Sequence, residues 1–183
     1  MKRIICIDPG HGEPWPGAVF GDIKESEFCL DVGNFLSREL QRRGHIVVQT
    51  RYTSSAIVPG RLTEDLTRRA EIANQIEADI FLSLHFNSHP NHEANGVETW
   101  YFKHSTKGRY LAELIQNQLI KKFKMRNRGI KGSRGLIVLK KTLMPAVLIE
   151  LGFITNPRDR NIMTASVYPE RVACAIADGV EIF

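Results

Sequence analysis

Polar residues stand where three of the β-rich runs of this chain come to an end. Asp8-Pro9-Gly10-His11-Gly12 follows the first run, Ser83-Leu84-His85-Phe86-Asn87 closes another, and Leu148-Ile149-Glu150-Leu151-Gly152 closes the last. Two histidines and a carboxylate are a recurrent donor set for catalytic zinc. The fourth position then holds water, whose pKa falls to about 7. A further carboxylate can take the proton of that water and pass it to a leaving amine. Glu150 suits one of the two carboxylate roles, because an acid inside the apolar run from Val147 to Phe153 is costly to bury without a partner. Taken singly, each residue has a plainer explanation. His11 suits a turn residue, His85 a hydrogen-bonded core histidine, and Glu150 an ion-pair partner. Glu25 suits a first-turn acid favoured by the helix dipole. His45, His89, His92 and His104 fall in segments that read as exposed, so we take them for surface residues.

These residues need elements to position them. Strand-like runs cover Lys2 to Asp8, His45 to Arg51, Asp79 to His85, Gly96 to Phe102, Gly135 to Leu139 and Ala146 to Leu151. Helical periodicity covers Glu25 to Arg43, where Phe28, Val32, Leu36 and Leu40 recur and Gly44 acts as a stop. It recurs over Leu62 to Ile76, Leu111 to Phe123 and Pro169 to Ile182, and Asn156-Pro157 opens a short helix. Tyr52 to Gly60 and His89 to Asn95 read as surface loops. Such alternation predicts an α/β fold: one domain over residues 1–183, with a twisted, mostly parallel, mixed β-sheet and helices on both faces. Ligands bind beyond the carboxyl ends of the strands in open sheets of this kind. His11, His85 and Glu150 therefore converge on one rim.

The bulk properties fit an ordinary globular domain. The chain has 183 residues, 43% of them hydrophobic and 25% charged, which excludes disordered and fibrous classes. No apolar run approaches the roughly 18 residues of a membrane span. No signal peptide is visible after Met1-Lys2-Arg3. This suits a protein made in the cytoplasm, or a secreted catalytic domain already processed. Cys6, Cys29 and Cys174 are odd in number and sit among apolar residues, so they read as reduced core thiols. The net charge of +5 is concentrated in Lys121, Lys122, Lys124, Arg126, Arg128, Lys131 and Arg134. That segment is either a solvated basic face or a surface for an acidic polymer.

Four strings carry a family resemblance: IICIDPGHG, IKESEFCLDV, ADIFLSLHFNS and MPAVLIELGFITNP. In this order and spacing they resemble the N-acetylmuramoyl-L-alanine amidases of the amidase type 3 family, over nearly the whole chain. The resemblance implies a zinc enzyme that cleaves the amide between the lactyl group of N-acetylmuramic acid and L-alanine of the peptide stem. It implies His11, Glu25 and His85 as the Zn²⁺ ligands and Glu150 as the catalytic acid/base. It also brings Arg69 and Asn87 forward as shaping groups. Two features depart from the pattern. Glu13-Pro14-Trp15-Pro16 stands where a second glycine is usual, and Cys29 where an asparagine is frequent. Glu27 competes with Glu25 on paper, but the two point about 200° apart on a helix, and the spacing after Lys24 favours Glu25. Trp15, Trp100 and Tyr101 are candidates to line a groove. A single catalytic domain over residues 1–183, without a separate wall-binding domain, is expected. The implied partner is peptidoglycan, met by a monomer without specific nucleic acid, at the bacterial cell wall after release or phage delivery. An endolysin, an autolysin and a sporulation enzyme all fit. Two rivals stand beside this reading: a zinc carboxypeptidase or other peptidase on the stem peptide, and a metal-free binding module for wall glycan or nucleic acid.

Overall fold

A computed structural model describes all residues from Met1 to Phe183. Its strands are β1 (Ile4–Pro9), β2 (Val19–Phe20), β3 (Ile23–Lys24), β4 (Ile46–Gln49), β5 (Ile80–Asn87), β6 (Val97–Phe102), β7 (Asn127–Ser133) and β8 (Ala146–Phe153). Its helices are α1 (Glu25–Arg42), α2 (Leu62–Gln75), α3 (Thr106–Lys122), α4 (Ile137–Lys141), α5 (Pro157–Met163) and α6 (Tyr168–Ile182). β2 and β3 form a small hairpin that the sequence reading missed. The other strands make one six-stranded sheet in the order β4-β1-β5-β8-β6-β7. β4, β1, β5 and β8 are parallel, whereas β6 pairs antiparallel with β8 and parallel with β7. The mostly parallel mixed sheet is as expected.

Both faces of the sheet are covered, which is why its strands read as continuous apolar runs. On one face, Ile5, Ile7, Leu82, Leu84, Val147 and Ile149 pack under α1, α3 and α6 through Val32, Leu36, Leu111, Ile115, Val172 and Ile176. On the other, Cys6, Phe81 and Leu148 meet Ala73 of α2 and Val138 and Leu139 of α4 in a smaller core. Side chains alternate along a strand. Residues two or four positions beyond the smaller core therefore stay on its face. Asp8 follows Cys6, His85 lies four beyond Phe81, and Glu150 follows Leu148. The α2/α4 face is the site face, and its core is small because the site takes the upper part.

Four expectations need correction. Gly135 to Leu139 is not a strand: Ile137–Lys141 is the helix α4. A short apolar run has no decisive period, and here adjacent Val138 and Leu139 are both buried, packed towards α2. Asn127–Ser133, read only as a basic segment, is the edge strand β7. Its charges and two glycines hide the strand pattern, as is common at sheet edges. His45 is not a surface residue. It is buried, accepts the Arg3 backbone N–H at Nδ1 and meets Glu181 at 2.6 Å through Nε2. Cys174 is only partly buried, unlike Cys6 and Cys29, and all three thiols are free.

Candidate metal centre

The centre is built on the loop after β1, the carboxyl end of β5 and the start of α1. Beyond β1 the chain reverses sharply: His11 has φ +62° and Gly12 has φ +136°. The left-handed conformation is uncommon for histidine and has to be held in place. Two buried arginines hold it. Arg69 donates to the carbonyls of Pro9 and His11 at 2.8 and 2.6 Å. Arg51 donates to those of Pro9 and Gly10 at 2.8 Å each, and also to Thr53 and Ser26 at 2.7 Å. Three successive carbonyls are thus pinned, and the Ser26 bond ties the loop to the first turn of α1. Arg69 is paired in turn with Asp8 at 2.9 Å and Asp65 at 2.7 Å. Burial opposes ionisation of Asp8, but the Arg69 guanidinium and the hydroxyls of Thr50 and Ser83 outweigh it and hold the carboxyl below its usual range. Arg69 therefore shapes the site without entering it.

Glu25 opens α1, where the helix N-terminus favours a negative charge. Its Oε2 accepts the Ala18 N–H at 2.8 Å and its Oε1 the Phe86 N–H at 3.0 Å. The same Oε1 lies 3.0 Å from His11 Nε2 and 3.0 Å from His85 Nδ1. His11, Glu25 and His85 form a group whose donor atoms all lie within 4.8 Å of one another. Burial would raise the Glu25 carboxyl, yet the hydrogen bonds from His11 and His85 hold it far below its usual range. Burial pushes the His85 imidazole down, towards its neutral form. An ionised carboxylate, as at Glu25, and a neutral imidazole, as at His85, are the protonation states a metal requires of such ligands. Glycines make the close approach possible. A Cβ on Gly10 would lie 2.4 Å from His85 Cε1, and one on Gly17 would lie 2.5 Å from Glu25 Oε2.

Glu150 stands directly across from His85 in the parallel register of β5 and β8. Its Oε2 is covered and has no hydrogen-bond partner. Burial, the Glu25 charge and the Glu98 charge hold it well above the usual carboxylate range. A cavity of about 260 Å³ joins His11, His85 and Glu150 to Trp15, Asp65 and an apolar wall of Leu62, Leu66, Leu136, Ile137, Val138 and Leu148. The arrangement can hold a divalent cation on one side and a proton-accepting carboxylate on the other.

The remaining candidates separate clearly. Glu27 is exposed and lies 3.8 Å from Lys24, away from the cluster. Asn87 donates to Glu98 at 3.3 Å rather than to the cluster. Trp15 lines the cavity, and Trp100 sits on the site face beside Glu98. Tyr101 packs on the opposite face with the larger core, so it does not line the groove. Sequence reasoning missed Arg51 and Glu98. Both carried a usable signal: Arg51 sits just past a strand end, and Glu98 is an acid in the apolar run Val97 to Phe102, the cue that raised Glu150.

Residues 5–182 match the family model described as N-acetylmuramoyl-L-alanine amidase. The chain belongs to this family. It is 30% identical to the germination-specific N-acetylmuramoyl-L-alanine amidase of Bacillus subtilis (strain 168), over 97% of this chain and 78% of that protein. It is 34% identical to the N-acetylmuramoyl-L-alanine amidase LytC of the same organism, over 98% of this chain but only 35% of that longer protein. Among solved structures it resembles the CwlD amidase from Clostridioides difficile, determined in complex with the GerS lipoprotein. There the TM-score is 0.94 at 29% identity, covering 99% and 98% of the two chains. The expected enzyme class and fold both stand. No helix is long and apolar enough to cross a membrane.

Proposed function

We propose that this enzyme hydrolyses the amide between the lactyl group of N-acetylmuramic acid and L-alanine in peptidoglycan, using zinc held by His11, Glu25 and His85, with Glu150 moving the proton. One observation carries the reading: two imidazoles and a buried carboxylate share a space within 4.8 Å, across from an unpartnered carboxylate oxygen of Glu150. The donor set fits zinc, which favours histidine nitrogen and carboxylate oxygen and keeps one position open in catalytic sites. Zinc bound there would supply Lewis-acid polarisation of the scissile carbonyl and acidify water.

The rest falls to the chain itself. Glu25 keeps its negative charge and orients both imidazoles. Arg69 and Arg51 fix the backbone that presents His11. The apolar wall of Leu66, Leu136, Ile137, Val138 and Leu148 displaces water from one side of the cavity, which strengthens charge interactions within it. Glu150 Oε2 accepts the proton of the attacking water and returns it to the alanine nitrogen as the C–N bond breaks. Its raised proton affinity suits that exchange, because a general base works best with a pKa near the working pH. A cation among the three ligands would offset part of the rise. Residues 1–183 act as one catalytic unit in this reading.

Digestion of purified peptidoglycan tests it. The expected products are intact stem peptides with new L-alanine amines, formed only without chelator. Release of single amino acids would indicate a peptidase instead. Glu150→Gln should keep its zinc and lose about 10²–10⁴-fold in turnover. Near-full activity in that variant would remove Glu150 from the mechanism.

A further inference from the structure

The site face continues past Glu150 towards the edge of the sheet. Glu150 on β8 is the direct antiparallel partner of Glu98 on β6, so both side chains stand on one face. Lys131 on β7 is the register partner of Trp100, two residues beyond Glu98 on that same face. A row therefore crosses three strands: Glu150, Glu98, then the cations of β7. Glu98 is buried and fully engaged. Its Oε1 accepts Trp100 Nε1 at 3.1 Å and Asn87 Nδ2 at 3.3 Å, and its Oε2 accepts Arg128 Nε and Lys131 Nζ at 2.6 Å each.

One carboxylate thus faces two cations, which leaves an excess of one positive charge. The excess is held in place rather than trailing in solvent. Arg128 lies 4.9 Å over the Phe153 ring and donates to the Asn95 carbonyl at 3.4 Å. Lys131 lies 5.1 Å over the Trp100 ring. Their side chains are only 26% and 34% exposed, whereas Lys121, Lys122, Lys124, Arg126 and Arg134 of the same basic segment are exposed. Arg128 Nη2 and two of the Lys131 N–H groups have no protein acceptor.

We infer that Arg128 and Lys131, braced by Glu98, form a subsite for a carboxylate of the peptide that follows the scissile L-alanine. The inference rests on the amidase reading above. The anion must lie on the peptide side, because the lactyl carboxyl is consumed in the amide and the flanking N-acetylated sugars are neutral. The span also fits. β8 and β7 are two strand spacings apart, about 10 Å, which about three extended residues would cover. Of the seven cations in the basic segment, two thus recognise the substrate and the others form a solvated surface.

The test compares a muramoyl-peptide whose stem carries free carboxylates with the same molecule fully amidated. The wild-type enzyme should favour the free acid by about tenfold in kcat/KM, the worth of one partly exposed charge-assisted hydrogen bond, and mainly through KM. In Lys131→Gln and in Arg128→Gln that preference should fall towards unity. Lys131→Arg should retain most of it and guards against a mere loss of folding. Two results would overturn the subsite: a wild-type enzyme indifferent to amidation, or variants that lose equally on both substrates, since the cations would then serve only to neutralise Glu98. If the wild-type enzyme cleaved neither molecule, the amidase reading would fall first and this inference with it.

Discussion

Arg51→Lys should weaken zinc binding even though Arg51 hydrogen-bonds no side chain of the cluster. The guanidinium makes four bonds, to the carbonyls of Pro9, Gly10, Ser26 and Thr53, at 2.7–2.8 Å. Lysine keeps the charge but has three N–H groups on one nitrogen. At least one of four carbonyls must then lose its donor, and the planar fork that spans the others is gone. Leaving a buried acceptor unpaired costs about 1–3 kcal/mol, so the metal-free variant should unfold at correspondingly lower urea. The more telling effect is on geometry. Pro9 and Gly10 precede His11, and Ser26 follows Glu25, so this one side chain sets how a histidine and a carboxylate face each other. Losing a supporting group of this kind typically costs 10–100-fold in metal affinity. Competition against a chromophoric chelator would measure it, with urea unfolding in EDTA reporting stability separately. A variant with reduced stability but unchanged zinc affinity would refute the idea that Arg51 positions the ligands.

Two further outcomes follow from the same geometry. Gly10→Ala should lower zinc content sharply, because the new Cβ would sit 2.4 Å from His85 Cε1 and 2.7 Å from the Leu84 carbonyl; metal analysis showing full occupancy would mean that the imidazole can step aside. Asp8 has a lowered pKa in the folded state, so its contribution is present above the unfolded value of about 3.9 and is lost as pH falls through the folded value. In metal-free protein the stability advantage of wild type over Asp8→Asn should therefore shrink below about pH 4, and an advantage that stays constant down to pH 3 would contradict the Asp8–Arg69 pairing.

Much of the fold was legible because apolar strands alternate with amphipathic helices, and that pattern admits few topologies. The strand-end residues His11, His85 and Glu150 could be placed on one rim from the same pattern. Glu25 could not, since a first-turn acid serves helix starts generally, and only the family resemblance raised it. The missed elements share a cause. α4 is an apolar stretch too short to show a period, and β7 is an edge strand whose side chains include charges that face water or Glu98.

The sequence by itself determined the α/β class, the main strands β1, β4, β5, β6 and β8, and the residue types able to hold a divalent metal. These follow from local periodicity and from which donors stand at strand ends. Only the tertiary structure decided that Glu25 Oε1 meets both histidines at 3.0 Å, that Arg51 and Arg69 fix the left-handed turn at His11, and that His45 is buried against Glu181. It also decided that Glu98 stands beside Glu150 with two cations from the edge strand. These facts depend on strand register and on side chains distant in sequence sharing one dry space, where an unpaired polar group is costly and a paired one is held in place.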